Sequence, residues 1–136
     1  MPTILMDPGE ILACISRIAA TMQTGGVDLP CPSAVAAPAA ALVEKLPFWI
    51  ARYGPLVEGK NVWVYCEPRC GTDSNPSGQV LICLPAGRYL VDTFDIGLRT
   101  CIARESAAGN PLVIGLVSVP RPFLLWIRPI GGMEET

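Results

Sequence analysis

The sequence predicts an α+β fold: N-terminal helices followed by an antiparallel β-sheet or β-sandwich of about six strands. Two observations predict it. A capped, amphipathic helical pattern opens the chain at 7–24. From Lys60 onward, short runs rich in β-branched and aromatic residues alternate with Gly, Pro, Asn and Asp turn signals. The chain has 136 residues, the usual size of one domain. Residues 1–136 are therefore read as a single domain, with a helical segment 1–58 packing on a β-sheet segment 60–130.

The first helix is signed at both ends. Asp7 is a good N-cap, Pro8 suits the first helical position, and Glu10 completes a D-x-x-E variant of the capping box. Ile11, Leu12, Ile15, Ile18, Ala19 and Met22 recur at helical spacing, and Gly25-Gly26 provides the stop. Residues 27–37 read as a Pro/Ser/Ala loop, and a second helix is expected from Pro38 to Lys45. PFWIARY (47–53) is read as one or two more turns, ended by Gly54-Pro55.

The strand candidates are VWVYC (62–66), QVLICL (79–84), RYLVDTF (88–94), LRTCIAR (98–104), PLVIGLVSV (111–119) and PFLLWIR (122–128). NPSG (75–78), PAG (85–87), DIG (95–97), AAGN (107–110) and PRP (120–122) separate them. This spacing suggests an antiparallel meander or Greek key. Two of the strands are apolar on both faces. Val62 and Val64 oppose Trp63 and Tyr65, while Phe123, Leu125 and Ile127 oppose Leu124 and Trp126. Such strands must be covered twice, by the N-terminal helices, a second sheet or another subunit.

Hydrophobic residues make up 51% of the chain and charged residues 16%, with a mean hydropathy of +0.43. That is apolar for a small soluble domain, so an exposed apolar patch suited to a partner or a second copy is expected. The net charge is −2. Arg88, Arg99, Arg104, Arg121 and Arg128 are scattered in sequence and form no basic run, which argues against nucleic acid as a partner. Membrane spans are not expected. Val35 to Val43 is far shorter than the roughly 20 residues a span needs, and 112–130 is interrupted by Arg121, Arg128 and prolines. Asp7, Glu10 and Arg17 break any signal-peptide core, so the location is unknown from the sequence and cytoplasmic by default, unless the native N-terminus is missing.

The chain contains no histidine. That removes the commonest general base and the Ser-His and Cys-His nucleophile pairs. The P-loop, the dinucleotide fingerprint and the G-x-S-x-G elbow are absent too. No catalytic residue, metal or cofactor is assigned, and the chain is not expected to be an enzyme. Cys66 and Cys70 (CEPRC) form a candidate disulfide or thiol pair. Cys66, Cys70, Cys83 and Cys101 also raise a four-thiolate zinc site, against the simpler reading of small buried hydrophobes. Asp92 and Asp95 raise a carboxylate pair of the kind glycoside hydrolysis uses. The simpler reading puts Asp92 on the solvent face and has Asp95 bonding its own turn. Among the aromatics Trp49, Trp63, Trp126, Tyr53, Tyr65 and Tyr89, the candidate carbohydrate-binding residues are Trp49, Tyr53 and Tyr89. Trp63 and Trp126 read as core.

One resemblance adds to this reading. QVLICLPAGRYLVDTFD (79–95), PLVIGL (111–116) and PRPFLLWIRP (120–129) resemble the C-terminal β-sandwich module of bacterial glycoside hydrolases. LPFWIARYGPL (46–56) looks like the last element before such a module. The resemblance implies a non-catalytic role: packing against a catalytic barrel, stabilising it, and in some cases touching sugar. Asp95-Ile96-Gly97 is shorter than the corresponding family turn, and the N-terminal helix pair has no counterpart. The expected function is thus an accessory or carbohydrate-associated β-module, with a catalytic domain and carbohydrate as partners. The alternative is a stand-alone structural protein that forms a homo-oligomer.

Overall fold

Asp7 starts the helix as the sequence predicts. Its Oδ2 accepts a hydrogen bond from Gly9 N at 3.0 Å, and its carbonyl accepts from Ile11 N at 3.0 Å. Helix α1 runs Pro8–Thr21. Glu10 reaches Arg52 on the sheet, which ties the first turn to the body of the fold. The computed structural model describes residues 3–21, 33, 37–38, 42–69, 78–97, 100–116 and 121–130. The expected helix end at 22–24, its Gly25-Gly26 stop and most of the 27–37 loop lie outside the described residues.

The strands are β1 (Ile4–Leu5), β2 (Ala37–Pro38), β3 (Val43–Lys45), β4 (Ile50–Glu58), β5 (Asn61–Pro68), β6 (Gln79–Ile82), β7 (Arg88–Asp95), β8 (Thr100–Ala108), β9 (Leu112–Gly115) and β10 (Phe123–Pro129). All six strand candidates are present as β5 to β10. The expected second helix and the helical turns after it are not: Val43–Lys45 is β3, and the chain turns at 48–49 into β4. The local spacing of Leu46, Trp49, Ile50 and Tyr53 suits a helix, but a hairpin overrides it. Gly59, at φ 61°, leads a two-residue turn that pairs Glu58 with Asn61 and joins β4 to β5 along its length. Gly54-Pro55, expected as a helix stop, lies inside β4. Pro55 falls between the residues of β4 that pair with β1 and those that pair with β2.

The described residues form two sheets, one of seven strands and one of three. The larger runs β1-β4-β5-β10-β7-β8, with β2 also on β4; the smaller runs β3-β6-β9. The β1–β4 pair is parallel and every other pair antiparallel. The connectivity is not a simple meander, because β10 inserts between the β4–β5 and β7–β8 hairpins. The last strand therefore binds the two halves of the large sheet.

Alternation along β5 and β10 divides the core as the sequence requires. Val62, Val64, Phe123, Leu125 and Ile127 join Val80, Ile82, Leu112 and Ile114 of the small sheet in one buried cluster. Trp63, Tyr65, Leu124 and Trp126 join Ile11, Ile15 and Ile18 of α1 in the other. Both faces of the central strands are thus covered from within the chain.

Candidate functional site

The polar feature that stands out lies on the helix-covered face, on β7. Tyr89 and Val91 enter the cluster shared with the small sheet, and Phe94 the cluster under α1. Asp92 shares the Phe94 face by strand alternation. It is 0% exposed, contrary to its expected place on the solvent face. A buried carboxylate needs partners. Arg104, directly opposite on β8, supplies Nε to Oδ1 at 2.7 Å and Nη2 to Oδ2 at 3.2 Å. Arg128 on β10 brings Nη1 to 2.8 Å from Oδ2, an ion contact without hydrogen-bond alignment. The Arg128 guanidinium also sits 3.5 Å from the centroid of the Trp126 ring, a cation–π contact. Trp126 Nε1 in turn donates to Asn61 Oδ1 at 3.0 Å.

The same face carries Arg88, four residues before Asp92, whose Nη2 donates to Ser106 Oγ at 3.0 Å. Strand register thus brings Arg104 and Arg128, scattered in sequence, onto one carboxylate and sets Arg88 on the same face four residues further along β7. Arg104 is half exposed at its side chain, and Arg88 and Ser106 are exposed. The bond to Asp92, then its charge, raises the Arg104 pKa above its ordinary value, so the guanidinium stays charged. Cys101 sits beside the cluster, with Sγ 4.0 Å from Asp92 Oδ1 and 3.4 Å from the Ala103 carbonyl. Burial, and then the Asp92 charge, push its thiol pKa up, which holds it protonated. The arrangement offers fixed cationic donors and no activated nucleophile.

Asp95 belongs to the opposite face of β7. It is buried, and Arg121 clamps it with Nε 3.2 Å from each carboxylate oxygen and Nη2 at 2.5 Å from Oδ2. Ile96 N donates to the Pro122 carbonyl at 3.1 Å, so this clamp joins the β7–β8 turn to the segment entering β10. Gly97 leaves room for it, since a Cβ there would lie 2.9 Å from Arg121 Cδ. Asp92 and Asp95 therefore do not converge, and each is neutralised on its own side of the sheet.

The candidate sugar-binding aromatics lie inward. Trp49 is 5% and Tyr89 8% exposed, both in the core between the sheets. The Trp49 ring packs at 6.4 Å against Phe123, and Tyr89 OH donates to the Pro85 carbonyl at 2.9 Å. Tyr53 is half-buried against the same core. The three come together as packing, without an exposed ring platform. Cys66 is a free thiol in that core, its pKa pushed far up by burial, and Cys70 lies outside the described residues. A shared four-thiolate site is not assembled from the described cysteines: Cys66 and Cys101 lie against opposite faces of one sheet, and Cys83 is exposed near the end of β6. Among the described residues, no helix is long and apolar enough to cross a membrane.

Comparison with protein families, with curated proteins and with solved structures finds no match.

The arginine cluster escapes a reading by proximity in sequence, because its members lie 16 and 24 residues apart. The available signal was parity. Arg88, Asp92 and Phe94 fall on alternate positions of one predicted strand, which puts a carboxylate and a cation on the same face as an aromatic.

Proposed function

We propose that the chain is a non-catalytic accessory β-module of the carbohydrate-associated kind, which packs on a larger hydrolase and stabilises it. The observation that carries this reading is the place of β10. The strand that ends the resemblance, PFLLWIRP, is the central strand joining two hairpins, and its inner face shares one core with the small sheet. Two sheets that share one core in this way support the β-sandwich reading, whose packed faces suit scaffolding. The inward placement of Trp49 and Tyr89 favours packing over sugar stacking through those rings.

A docking corner supports the same reading. Ile4 and Leu5 are exposed on β1, and Phe48 is 85% exposed just before β4. Arg69 holds this corner together through Nε to the Phe48 carbonyl at 2.8 Å and Nη2 to Thr3 Oγ1 at 3.4 Å. The test is to read the DNA upstream of the Met1 codon. An open frame encoding repeated strand–helix units supports attachment to a catalytic barrel. A stop codon preceded by no such frame overturns it.

The alternative, a structural protein that associates with itself, draws on the same exposed residues and on Val113 of the outer small sheet. Light scattering at high concentration decides it, since a strictly monomeric mass rules it out.

A further inference from the structure

We propose that Arg88, Arg104 and Arg128 form a binding site for the carboxylates of an acidic polysaccharide. The inference rests on the carbohydrate-associated reading above and moves the contact away from the buried aromatics.

Among the described residues, the α1-side face of the β10–β7–β8 strip carries three cations and one carboxylate, the fully buried Asp92, while Asp95 and the exposed Glu105 alternate to the opposite face. That face of the strip therefore presents surplus positive charge on a chain whose net charge is −2. On the β4–β5 side of the same face cations and carboxylates pair off, and Arg17 of α1 adds a second cation there. There Arg52 meets both Glu10 and Glu67, and Glu58 holds Ser33. Positive charge is thus concentrated at one end of the face, with Trp63, Trp126 and Tyr65 between it and the paired charges of the other end. Such a field draws an anion to the arginine end and orients it.

The guanidiniums retain donors to offer. Arg104 commits Nε and Nη2 to Asp92, and Arg88 commits Nη2 to Ser106. Their remaining N–H groups present the planar fork that takes a carboxylate through two parallel bonds. Asp92 fixes Arg104 and Arg128 before any ligand arrives, which lowers the ordering cost of binding. The cations are spread over three neighbouring strands, about 10 Å at the usual strand spacing. A chain with repeating carboxylates matches that spread better than a single small anion. Ser106 Oγ adds a hydroxyl partner within the strip.

The test is titration calorimetry of the whole chain at low salt with polygalacturonate. Its fully methyl-esterified form, polyglutamate and a single-stranded oligonucleotide serve as comparison ligands. The expected result is binding of polygalacturonate alone, weakening as salt rises. Arg88→Gln lowers the affinity about tenfold, the effect of one lost charge-assisted contact. Lys45→Gln, an equal charge change on the exposed β3, leaves it unchanged. Arg88→Lys serves as a second variant that keeps the charge and loses the fork, so a folding defect in Arg88→Gln does not hide the answer. Equal binding of the methyl ester overturns the anion site but leaves the carbohydrate-associated reading intact. Binding of neither overturns the site and leaves only scaffolding. Equal binding of polyglutamate or the oligonucleotide overturns the polysaccharide assignment, and equal loss with Arg88→Gln and Lys45→Gln overturns the location.

Discussion

Arg104 holds Asp92 through two parallel hydrogen bonds across the β7–β8 pair, Nε to Oδ1 and Nη2 to Oδ2, while half of its own side chain remains in water. The energetic weight of this pair lies with the carboxylate. An exposed ion pair contributes about 0–1 kcal/mol. A buried carboxylate that loses its aligned donors costs about 1–3 kcal/mol.

Arg104→Ala is therefore expected to destabilise the fold by about 2 kcal/mol, because Arg128 is close to Asp92 but not aligned with it. Arg104→Lys is expected to recover only part of that loss, since an ammonium cannot span both carboxylate oxygens. Urea unfolding at pH 7 measures both. A loss within about 0.5 kcal/mol for Arg104→Ala would mean that Arg128 alone satisfies Asp92.

The alkaline limit of stability follows chiefly from two buried acids, Cys66 and Tyr65, with smaller parts from the half-buried thiols of Cys14 and Cys101. Burial raises the Cys66 thiol above its ordinary value of 9.0. Burial, then the Glu67 charge, raises the Tyr65 phenol above 10.0. The folded state holds these protons after the unfolded chain has released them. Their contribution is complete below pH 9 and is lost as pH rises, first through Cys66 and then, above pH 10, through Tyr65. Melting temperatures between pH 8 and pH 10.5 are expected to fall with an onset near pH 9. In Cys66→Ala the fall between pH 9 and pH 10 should become shallower, with Cys14 and Cys101 keeping a smaller part of it, whatever the variant's stability at neutral pH. An unchanged slope would place the alkaline transition elsewhere.

How much of this was legible depends on the range of the interaction that decides each element. The start of α1 is settled by Asp7 and its neighbours, so the cap was readable. The two-faced character of β5 and β10 was readable from parity, and it called for two covers, which α1 and the small sheet supply. β3 and β4 were not readable from spacing, because Leu46 to Tyr53 fits a helix locally and is settled by pairing with Asn61–Pro68. The Gly59-Lys60 turn was the overlooked signal. The arginine cluster and the burial of Asp92 depend on the register of three strands, which no window of sequence contains. The inward placement of Trp49 and Tyr89 escapes the sequence for the same reason: residue type tells that a ring suits sugar, not which side of a sheet it occupies.

Gly54 illustrates a glycine required by a neighbour. Helix α1 crosses β4 there, and a Cβ on Gly54 would lie 2.3 Å from Ile11 Cγ1 and 2.4 Å from Cδ1. Gly54→Ala is expected to cost about 2 kcal/mol by overpacking this crossing. Ile11→Ala alone should also destabilise, by roughly 3 kcal/mol, through the cavity it leaves. Combined, the two should fall well short of their sum, because the new methyl enters the space that the isoleucine vacates. Additive losses in urea unfolding would show that α1 does not rest on Gly54.

The two neighbouring tryptophans are expected to respond differently to the same substitution. Trp63 and Trp126 face each other across the β5–β10 pair under the same helix. Trp126 Nε1 donates to Asn61 and its ring carries Arg128, whereas Trp63 Nε1 is fully buried and finds no acceptor among the described residues. Replacement by phenylalanine removes similar volume from both sites, so the packing losses largely cancel in the comparison. At Trp126 it also removes a hydrogen bond and weakens a cation–π contact; at Trp63 it removes an unsatisfied donor that costs free energy to bury. Trp126→Phe is therefore expected to be about 1–2 kcal/mol more destabilising than Trp63→Phe. Equal losses would indicate that the Trp63 N–H is satisfied in solution, by a trapped water or by the rest of the chain, and that the polar partners of Trp126 contribute little.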